Sequence, residues 1–346
     1  MFWVALLAGG FALWQQQTAA DDPGVVIRST TSLVQVRVVA QDSKGKPVTD
    51  LQRDDFQVFD DRKSQPITFF TADRGTAAAV PTTVAGPHAA PTSGSYSLIV
   101  LDWMNTEYPD RYRAKDHALH LLQTYQPRQK IALYLNGRNS RLLCDFTSDL
   151  SELVRVLEAA DLEFGDLDID TPAGRFDARY GGRTAAKMSA EEQFFFLNKR
   201  ITDTLRTFGL VADRLARLPG RKSLVWLSDA FPVTPIYYAD MERVYGRLNR
   251  ADVAVYGVDA RGLSSTTRSY SGTMIQFAER TGGTAFYDRN DLDEGLRLAL
   301  EDQSISYVVG FQVPAKAAPG LHEIRVRVNR PRLQLRYRES YEVAIL

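Results

Sequence analysis

The stretch "LIVLDWMNTEY", residues 98 to 108, sets four apolar residues before an aspartate and a polar loop. A strand that is covered on both faces has a continuous apolar run, so this segment predicts a buried strand at 97–101. Asp102 then lies at the carboxyl end of the strand, and Asn105 and Thr106 follow in the loop. These oxygen-bearing side chains at a strand end indicate a binding site, because ligands of α/β sheets bind outside the carboxyl ends of the strands.

Apolar runs alternate with amphipathic helical stretches from residue 96 to about 303, and this alternation predicts an α/β domain with crossover helices. Ser189 and Glu192 fit a capping box at the start of a long helix. The segment "NGRNS", residues 136–140, is too short for anything but a hairpin, so the third strand is expected to be antiparallel. The further predicted strands are 131–135, 141–144, 223–228, 252–258 and 284–288, and the other predicted helices are 111–125, one beginning after Ser148, 272–281 and 292–302.

The expected strand order is 3-2-1-4-5-6, with one antiparallel edge. In that order the first and fourth strands are neighbours where the direction of the sheet order reverses. Asp102 and Asp229, which follow these two strands, would face each other there. Asp259, after the fifth strand, is interpreted as a carboxylate that orders its own loop.

Segments at both ends of the chain alternate apolar and polar residues, which is typical of half-buried strands. Neither end alone supplies enough strands to bury a face, so the two are expected to pair into one flanking β-sandwich. The predicted organisation is a signal peptide at 1–20, the N-terminal part of the β-module at 25–72, a linker or mobile loop at 73–95, a domain at 96–303 and the C-terminal part of the β-module at 304–346.

The N-terminal segment "MFWVALLAGGFALWQQQTAA" resembles a secretory signal and is too short for a comfortable membrane span. It predicts a secreted or periplasmic protein with no transmembrane segment in the mature chain, or one that an uncleaved N-terminal segment anchors. Lys and Arg number 42, as do Asp and Glu, and no basic block stands out, which argues against nucleic-acid binding. Cys144 is the only cysteine, so no intramolecular disulfide can form.

Several segments along the chain together resemble von Willebrand factor A (vWA)-related proteins of a bacterial, acidobacterial type, in which a vWA domain lies between β segments. They are "LVQVRVVAQDSKGKPVTDLQRDDFQVFDD", "LPGRKSLVWLSDAFP", "VYGVDARG", "AERTGGTAFYD" and the C-terminal strands. The resemblance implies a vWA-like, doubly wound, mostly parallel sheet. It also implies a non-enzymatic protein that binds a protein partner at the strand-end crevice.

The resemblance further implies a metal-ion-dependent adhesion site. The family holds its cation with Asp-x-Ser-x-Ser after the first strand and an aspartate after the fourth. Asp102 and Thr106 match the first motif and Asp229 matches the last aspartate, whereas Met104 replaces a serine and is a poor ligand for Mg²⁺. Asn105 offers a substitute oxygen. The implied site is therefore degenerate, with Asp102, Asn105, Thr106 and Asp229 as ligands of Mg²⁺ or Mn²⁺.

The family also supplies one threonine ligand from a later loop, and here the candidates are Thr184 and Thr202. Two facing carboxylates repel each other unless a cation or a partner's donor lies between them. Asp102 is therefore expected to serve the crevice and not the stability of the fold.

Two alternatives stay open. The first is a purely structural vWA domain that has lost its metal and interacts through another face. The second is a phosphotransferase of the haloacid-dehalogenase type, which also has Asp-x-Asp-x-Thr after its first strand; Met104 occupies the general-acid position there and cannot transfer a proton. The histidines, His88, His117, His120 and His322, have no evident carboxylate partner in the sequence.

Overall fold

The computed structural model describes residues 33–43, 46–73, 95–126, 129–137, 139–160, 189–263, 270–301, 306–314 and 317–343. The predicted signal peptide, the linker between 74 and 94, and Thr184 lie outside the described residues. None of the helices in the described ranges combines the length and the apolar character that crossing a bilayer requires.

The strands, in chain order, are β1 Leu33–Gln41, β2 Phe56–Asp60, β3 Lys63–Gln65, β4 Phe69–Asp73, β5 Tyr96–Asp102, β6 Lys130–Asn136, β7 Arg141–Thr147, β8 Lys222–Ser228, β9 Val253–Asp259, β10 Ala285–Phe286, β11 Ser306–Gln312, β12 Gly320–Val328, β13 Gln334–Arg336 and β14 Ser340–Val343. The helices are α1 Tyr108–Thr124, α2 Leu150–Glu158, α3 Ala190–Leu215, α4 Tyr238–Arg250, α5 Ser271–Thr281 and α6 Leu292–Glu301.

A six-stranded mixed sheet forms the centre of the molecule, and its strand order is β10-β9-β8-β5-β6-β7. Strands β6, β5, β8, β9 and β10 run parallel to their neighbours, and β7 pairs antiparallel with β6 after the short hairpin. The prediction of a mixed α/β fold is confirmed. Because β5 and β8 are paired neighbours, their carboxyl ends lie side by side.

Helices cover both faces of this sheet, which explains why β8 and β9 are buried at every position. One face packs on α1, α2 and α6, and the other packs on α3, α4 and α5. The capping box that opens α3 is confirmed: the Ser189 hydroxyl accepts from the Glu192 backbone N–H at 3.2 Å, and the Glu192 carboxylate accepts from the Ser189 N–H at 2.8 Å.

Two four-stranded sheets, in the orders β13-β1-β11-β4 and β14-β12-β2-β3, combine strands from both ends of the described chain. Alternate residues of these strands point into one shared apolar core, which includes Val36, Val58, Val309 and Ile324. The α/β domain is thus inserted between the two chain segments that make up this β unit.

The β unit contacts the α/β domain at the amino ends of the parallel strands. The Arg338 guanidinium donates to the carbonyl oxygen of Asn249, at the end of α4, at 2.9 Å, and to that of Gln35 in β1 at 2.7 Å. Gly282, which links α5 to β10 with φ 78°, lies against the backbone of Tyr337. The carboxyl ends of β5 and β8 therefore lie on the side of the sheet away from these contacts.

Candidate functional site

Asp102 ends β5 inside the protein, with none of its surface exposed. The apolar run of β5 is buried from Ser97 onward, and Trp103 and Met104 continue the burial into the loop. The Met104 backbone N–H donates to the carbonyl oxygen of Asn136 at 3.1 Å, which holds the loop against the end of β6. The carboxylate is therefore enclosed, and its neighbours decide what it can do.

Both oxygens of the Asp102 carboxylate already accept hydrogen bonds from the protein. Oδ1 accepts from the side-chain amides of Asn136 at 2.7 Å and Asn105 at 3.1 Å. Oδ2 accepts from Asn105 at 2.9 Å, from Trp226 Nε1 at 2.8 Å and from the Ser228 hydroxyl at 2.9 Å. Burial raises the pKa of Asp102, whereas these four donors act in the opposite direction. This arrangement does not fit the expectation that Asp102 leaves the stability of the fold unaffected.

The amide of Asn105 lies between Asp102 and α3. Its Nδ2 contacts both Asp102 oxygens and also the Thr204 hydroxyl oxygen at 2.7 Å. An ionised carboxylate only accepts hydrogen bonds, so the amino group and not the amide oxygen must face it. A donor group thus occupies the space between these oxygens, and Asn105 Oδ1 is buried without a partner in the part of the chain that the structure describes.

The threonine of this network is Thr204, and sequence reasoning missed it. Thr202, one of the two candidates, is exposed on α3, whereas Thr204 is buried. Thr204 also accepts from the Asn136 amide at 3.1 Å. The helical periodicity could have identified Thr204 as a buried residue, because it places Thr204 on the inward face of α3 with Ile201 and Phe208.

Thr106 lies beside this network and orders the loop. Its hydroxyl donates to the Asp102 carbonyl oxygen at 2.6 Å, and its own carbonyl accepts from Arg111 Nε at 2.8 Å. The Thr106 hydroxyl oxygen keeps lone pairs that these contacts do not use.

Asp229 follows β8 and is only 5% exposed. Its Oδ2 accepts from the backbone N–H of Glu107 at 2.8 Å, whereas its Oδ1 is buried and has no hydrogen-bond partner among the described residues. Burial is the main cause that raises the pKa of Asp229 to about 8; the carboxylates of Asp110 and Asp259 contribute to the increase, whereas the Glu107 N–H and Arg261 oppose it. An orphaned carboxyl oxygen of this kind is costly, and it marks a place where a ligand could supply the missing partner.

Asp259, at the end of β9, has a buried ion pair of its own. The Arg261 backbone N–H and Nε donate to Asp259 Oδ1 at 3.0 and 2.9 Å, and Arg261 Nη2 donates to Oδ2. These contacts fix the loop that follows β9, as expected for a carboxylate that orders its own loop.

The four residues predicted as metal ligands fit that role unequally. Asp102 is saturated by neutral donors and would have to give up hydrogen bonds to coordinate an ion directly. Asp229 Oδ1, Asn105 Oδ1 and the lone pairs of Thr106 have no such competition. Of the four residues, Asp229, Asn105 and Thr106 therefore keep oxygen atoms that could serve as ligands of Mg²⁺ or Mn²⁺ without the loss of a hydrogen bond.

The burial of Asp102 also bears on the phosphotransferase alternative. A nucleophilic aspartate must present an oxygen to a substrate phosphorus atom. Asp102 has no exposed surface, and each of its oxygens is already engaged by at least two donors. The geometry does not offer this residue as a nucleophile.

No family model matches this chain, and no curated protein matches it either. Solved structures that match include a von Willebrand factor type A protein from Catenulispora acidiphila, with 11% identity over 83% of this chain and 76% of that one and a TM-score of 0.38. An aerotolerance-related membrane protein from Bacteroides fragilis has 13% identity over 61% of this chain and 100% of that one, with a TM-score of 0.39.

A further match is manganese-loaded TRAP protein from Plasmodium vivax, with 11% identity over 72% of this chain and 94% of that one and a TM-score of 0.36. Identities and TM-scores this low do not assign the chain to the family of any of these proteins.

Proposed function

We propose that this chain is an extracytoplasmic, non-enzymatic protein-interaction domain with a vWA-like fold. Its interaction surface is the edge formed by the carboxyl ends of β5 and β8, where Asp102, Asn105, Thr106 and Asp229 lie. The observation that carries the proposal is Asp229 Oδ1, a buried carboxyl oxygen that no group of the described protein satisfies. A cation or a donor from a protein partner would satisfy it.

The placement of the β unit supports the same edge as the interaction surface. Its contacts lie at the amino ends of the parallel strands, so the carboxyl ends face away from it. Glu107 is exposed at this edge and carries the N–H that holds Asp229. A partner can therefore approach the edge past Glu107 without displacing the β unit.

A divalent cation, Mg²⁺ or Mn²⁺, is part of this proposal. Asp229 is its carboxylate ligand, Asn105 and Thr106 supply neutral oxygens, and Asp102 acts through hydrogen bonds to the Asn105 amide. The two aspartates have different roles in this proposal, because only Asp229 has a carboxyl oxygen without a hydrogen-bond partner in the described protein.

Thermal unfolding with and without Mg²⁺ or Mn²⁺ tests the cation. At about one hundred times its Kd an ion should stabilise the wild type by roughly 2.7 kcal/mol. Asp229→Asn should lose this shift, and Asp102→Asn should keep it although its metal-free stability is lower. A shift that survives Asp229→Asn, or one that is missing in the wild type, contradicts the assigned ligands.

Site-specific photo-crosslinking tests the interaction surface. A photoreactive residue replaces Glu107, and a matched control replaces Lys130, which is exposed at the opposite, amino end of β6. In the cells that produce the protein, crosslinks to another protein should form from position 107 and not from position 130. Equal crosslinking from both positions, or none from 107, argues against this edge as the interaction surface.

A further inference from the structure

The turn between β2 and β3 brings two aspartates next to a histidine of β12. Asp60 is paired with Ile324 in the antiparallel register of β2 and β12, and Asp61 follows it with φ 44°. In the part of the chain that the structure describes, Asp60, Asp61 and His322 form a group whose possible ligand atoms all lie within 4.8 Å of one another. None of the contacts in the strand-end site involves these residues.

His322 has an imidazole whose two nitrogens face different groups. Nε2 lies 2.7 Å from the carbonyl oxygen of Ala318, which can only accept, so Nε2 carries a proton. Nδ1 lies 3.0 Å from Asp60 Oδ1 and 3.0 Å from Asp61 Oδ2. In the neutral imidazole, the Nδ1 lone pair would thus point at two carboxylates. That arrangement requires a positive charge, either a second proton on the ring or a bound cation.

The Asp61 carboxylate is held in position independently of the histidine. The Asp61 backbone N–H donates to the Glu323 carbonyl oxygen at 3.0 Å, and the Glu323 N–H donates to Asp61 Oδ1 at 2.9 Å. Asp61 Oδ2 is therefore directed at Nδ1 by the backbone of β12. Asp60 and His322 are buried, whereas the Asp61 side chain is about half exposed, so the group opens to solvent on one side.

Tyr341 in β14 places a buried hydroxyl next to this group. Its side chain is 94% buried, its ring centroid lies 5.2 Å from that of His322, and the two residues are cross-strand partners. The Tyr341 hydroxyl lies close enough to the Asp60 carboxylate for a weak hydrogen bond, but within the described residues it makes no hydrogen bond of ordinary length and angle. A water molecule on a metal ion would supply one.

We infer that Asp60, Asp61 and His322 bind a divalent transition-metal ion of the zinc class. His322 Nδ1 and one oxygen from each aspartate are the protein ligands, and water completes the shell next to the Tyr341 hydroxyl. The Nε2–H bond to Ala318 is the outer contact that fixes the orientation of a metal-bound imidazole.

The geometry and the donor set fit this class of ion. Ligands about 2.1 Å from a tetrahedral zinc ion lie about 3.4 Å apart, so the 3.0 Å separations need to widen by only a few tenths of an ångström. Imidazole selects zinc-class ions over Mg²⁺ and Ca²⁺, which prefer oxygen ligands alone. The ion would join a turn of the N-terminal segment to a strand of the C-terminal segment.

Equilibrium dialysis and thermal unfolding of the full chain with Zn²⁺ test this inference. The test variant is Asp61→Asn, because asparagine tolerates the left-handed backbone conformation and can keep the bond to the Glu323 N–H. The control is Asp288→Asn, the same exchange at an exposed residue that also has a positive φ, 52°. His120→Gln is a second control, because His117 and His120 are the other histidines that the structure describes and could also bind Zn²⁺.

The wild type should bind one Zn²⁺ and unfold at a higher temperature with it, and both control variants should behave like the wild type. Asp61→Asn should bind Zn²⁺ at least about tenfold more weakly. Its response to Mg²⁺ or Mn²⁺ should equal that of the wild type, which separates this site from the strand-end edge. If Zn²⁺ leaves the wild type unchanged, Nδ1 carries a proton instead and the inference fails. It also fails if Asp61→Asn retains the wild-type affinity or His120→Gln abolishes binding.

Discussion

Replacing Asp102 by alanine should destabilise the protein strongly. The change removes the acceptor of four buried donor groups, those of Asn105, Asn136, Trp226 and Ser228. Each buried donor left without a partner costs about 1–3 kcal/mol, so the loss should be at least about 4 kcal/mol. Desolvation of the carboxylate, which raises its pKa, offsets only part of this loss. A typical domain has a total stability of about 5–15 kcal/mol.

Urea unfolding in metal-free buffer, followed by tryptophan fluorescence, measures the effect, because Trp103 and Trp226 are buried near the site. Asp102→Asn keeps the shape but turns one acceptor into a donor, so it should cost less, about 1–3 kcal/mol. Asp213→Ala, which breaks an exposed ion pair with Arg247, should stay within about 1 kcal/mol of the wild type. If Asp102→Ala also stays within that range, the hydrogen-bond network does not stabilise the fold and the argument is refuted.

The remaining predictions concern Asp229, two glycines and the C-terminal strands. The folded protein keeps a proton on Asp229 up to about pH 8, whereas the unfolded chain releases it near the ordinary pKa of 3.8. As the pH rises from 3.8 to about 8, the stability of the wild type should therefore decrease relative to that of Asp229→Asn, by up to about 5 kcal/mol in urea titrations. A difference that stays constant with pH would contradict this. A Cβ at Gly283 would collide with the Val255 carbonyl oxygen, so Gly283→Ala should lower the free energy of unfolding by about 1–3 kcal/mol or more. A Cβ at Gly272 in α5 would contact no other atom, so Gly272→Ala should raise the free energy of unfolding by up to about 1 kcal/mol. Equal effects of the two variants would refute the packing argument. Removing residues 306–343 takes away β11, the strand between β1 and β4, so amide protons of β1 should exchange as in an unfolded chain, and retained protection would show that the N-terminal strands fold alone.

The sequence contained enough to predict the α/β sheet and its aspartates. The apolar runs of β5, β8 and β9 are buried at almost every position, which is the pattern that a sheet covered on both faces requires. The polar residues Asp102 and Asp229 stand out because each follows such a run at the carboxyl end of a strand. The pattern and the length of the apolar runs were sufficient to predict these features.

The partners of these residues could not be predicted from local patterns. Trp226 lies within an apolar run, and nothing local indicates that its indole N–H bonds a carboxylate 124 residues away. Asp293 is 176 residues from His117 and contacts both His117 and His120, although the sequence showed no partner for either histidine. Hydrogen-bond partners that are distant in sequence depend on the register and packing of whole elements, which a periodic pattern does not specify.

The way in which the β unit is divided has a consequence for synthesis. On the ribosome, β4 emerges roughly 230 residues before its partner β11, and at about 5–20 residues per second this interval lasts on the order of ten seconds or more. During that time the strand edges of β1 and β4 lack β11, while the inserted α/β domain can complete its own sheet. The first strands of the β unit can therefore complete their sheet only after synthesis has reached β11.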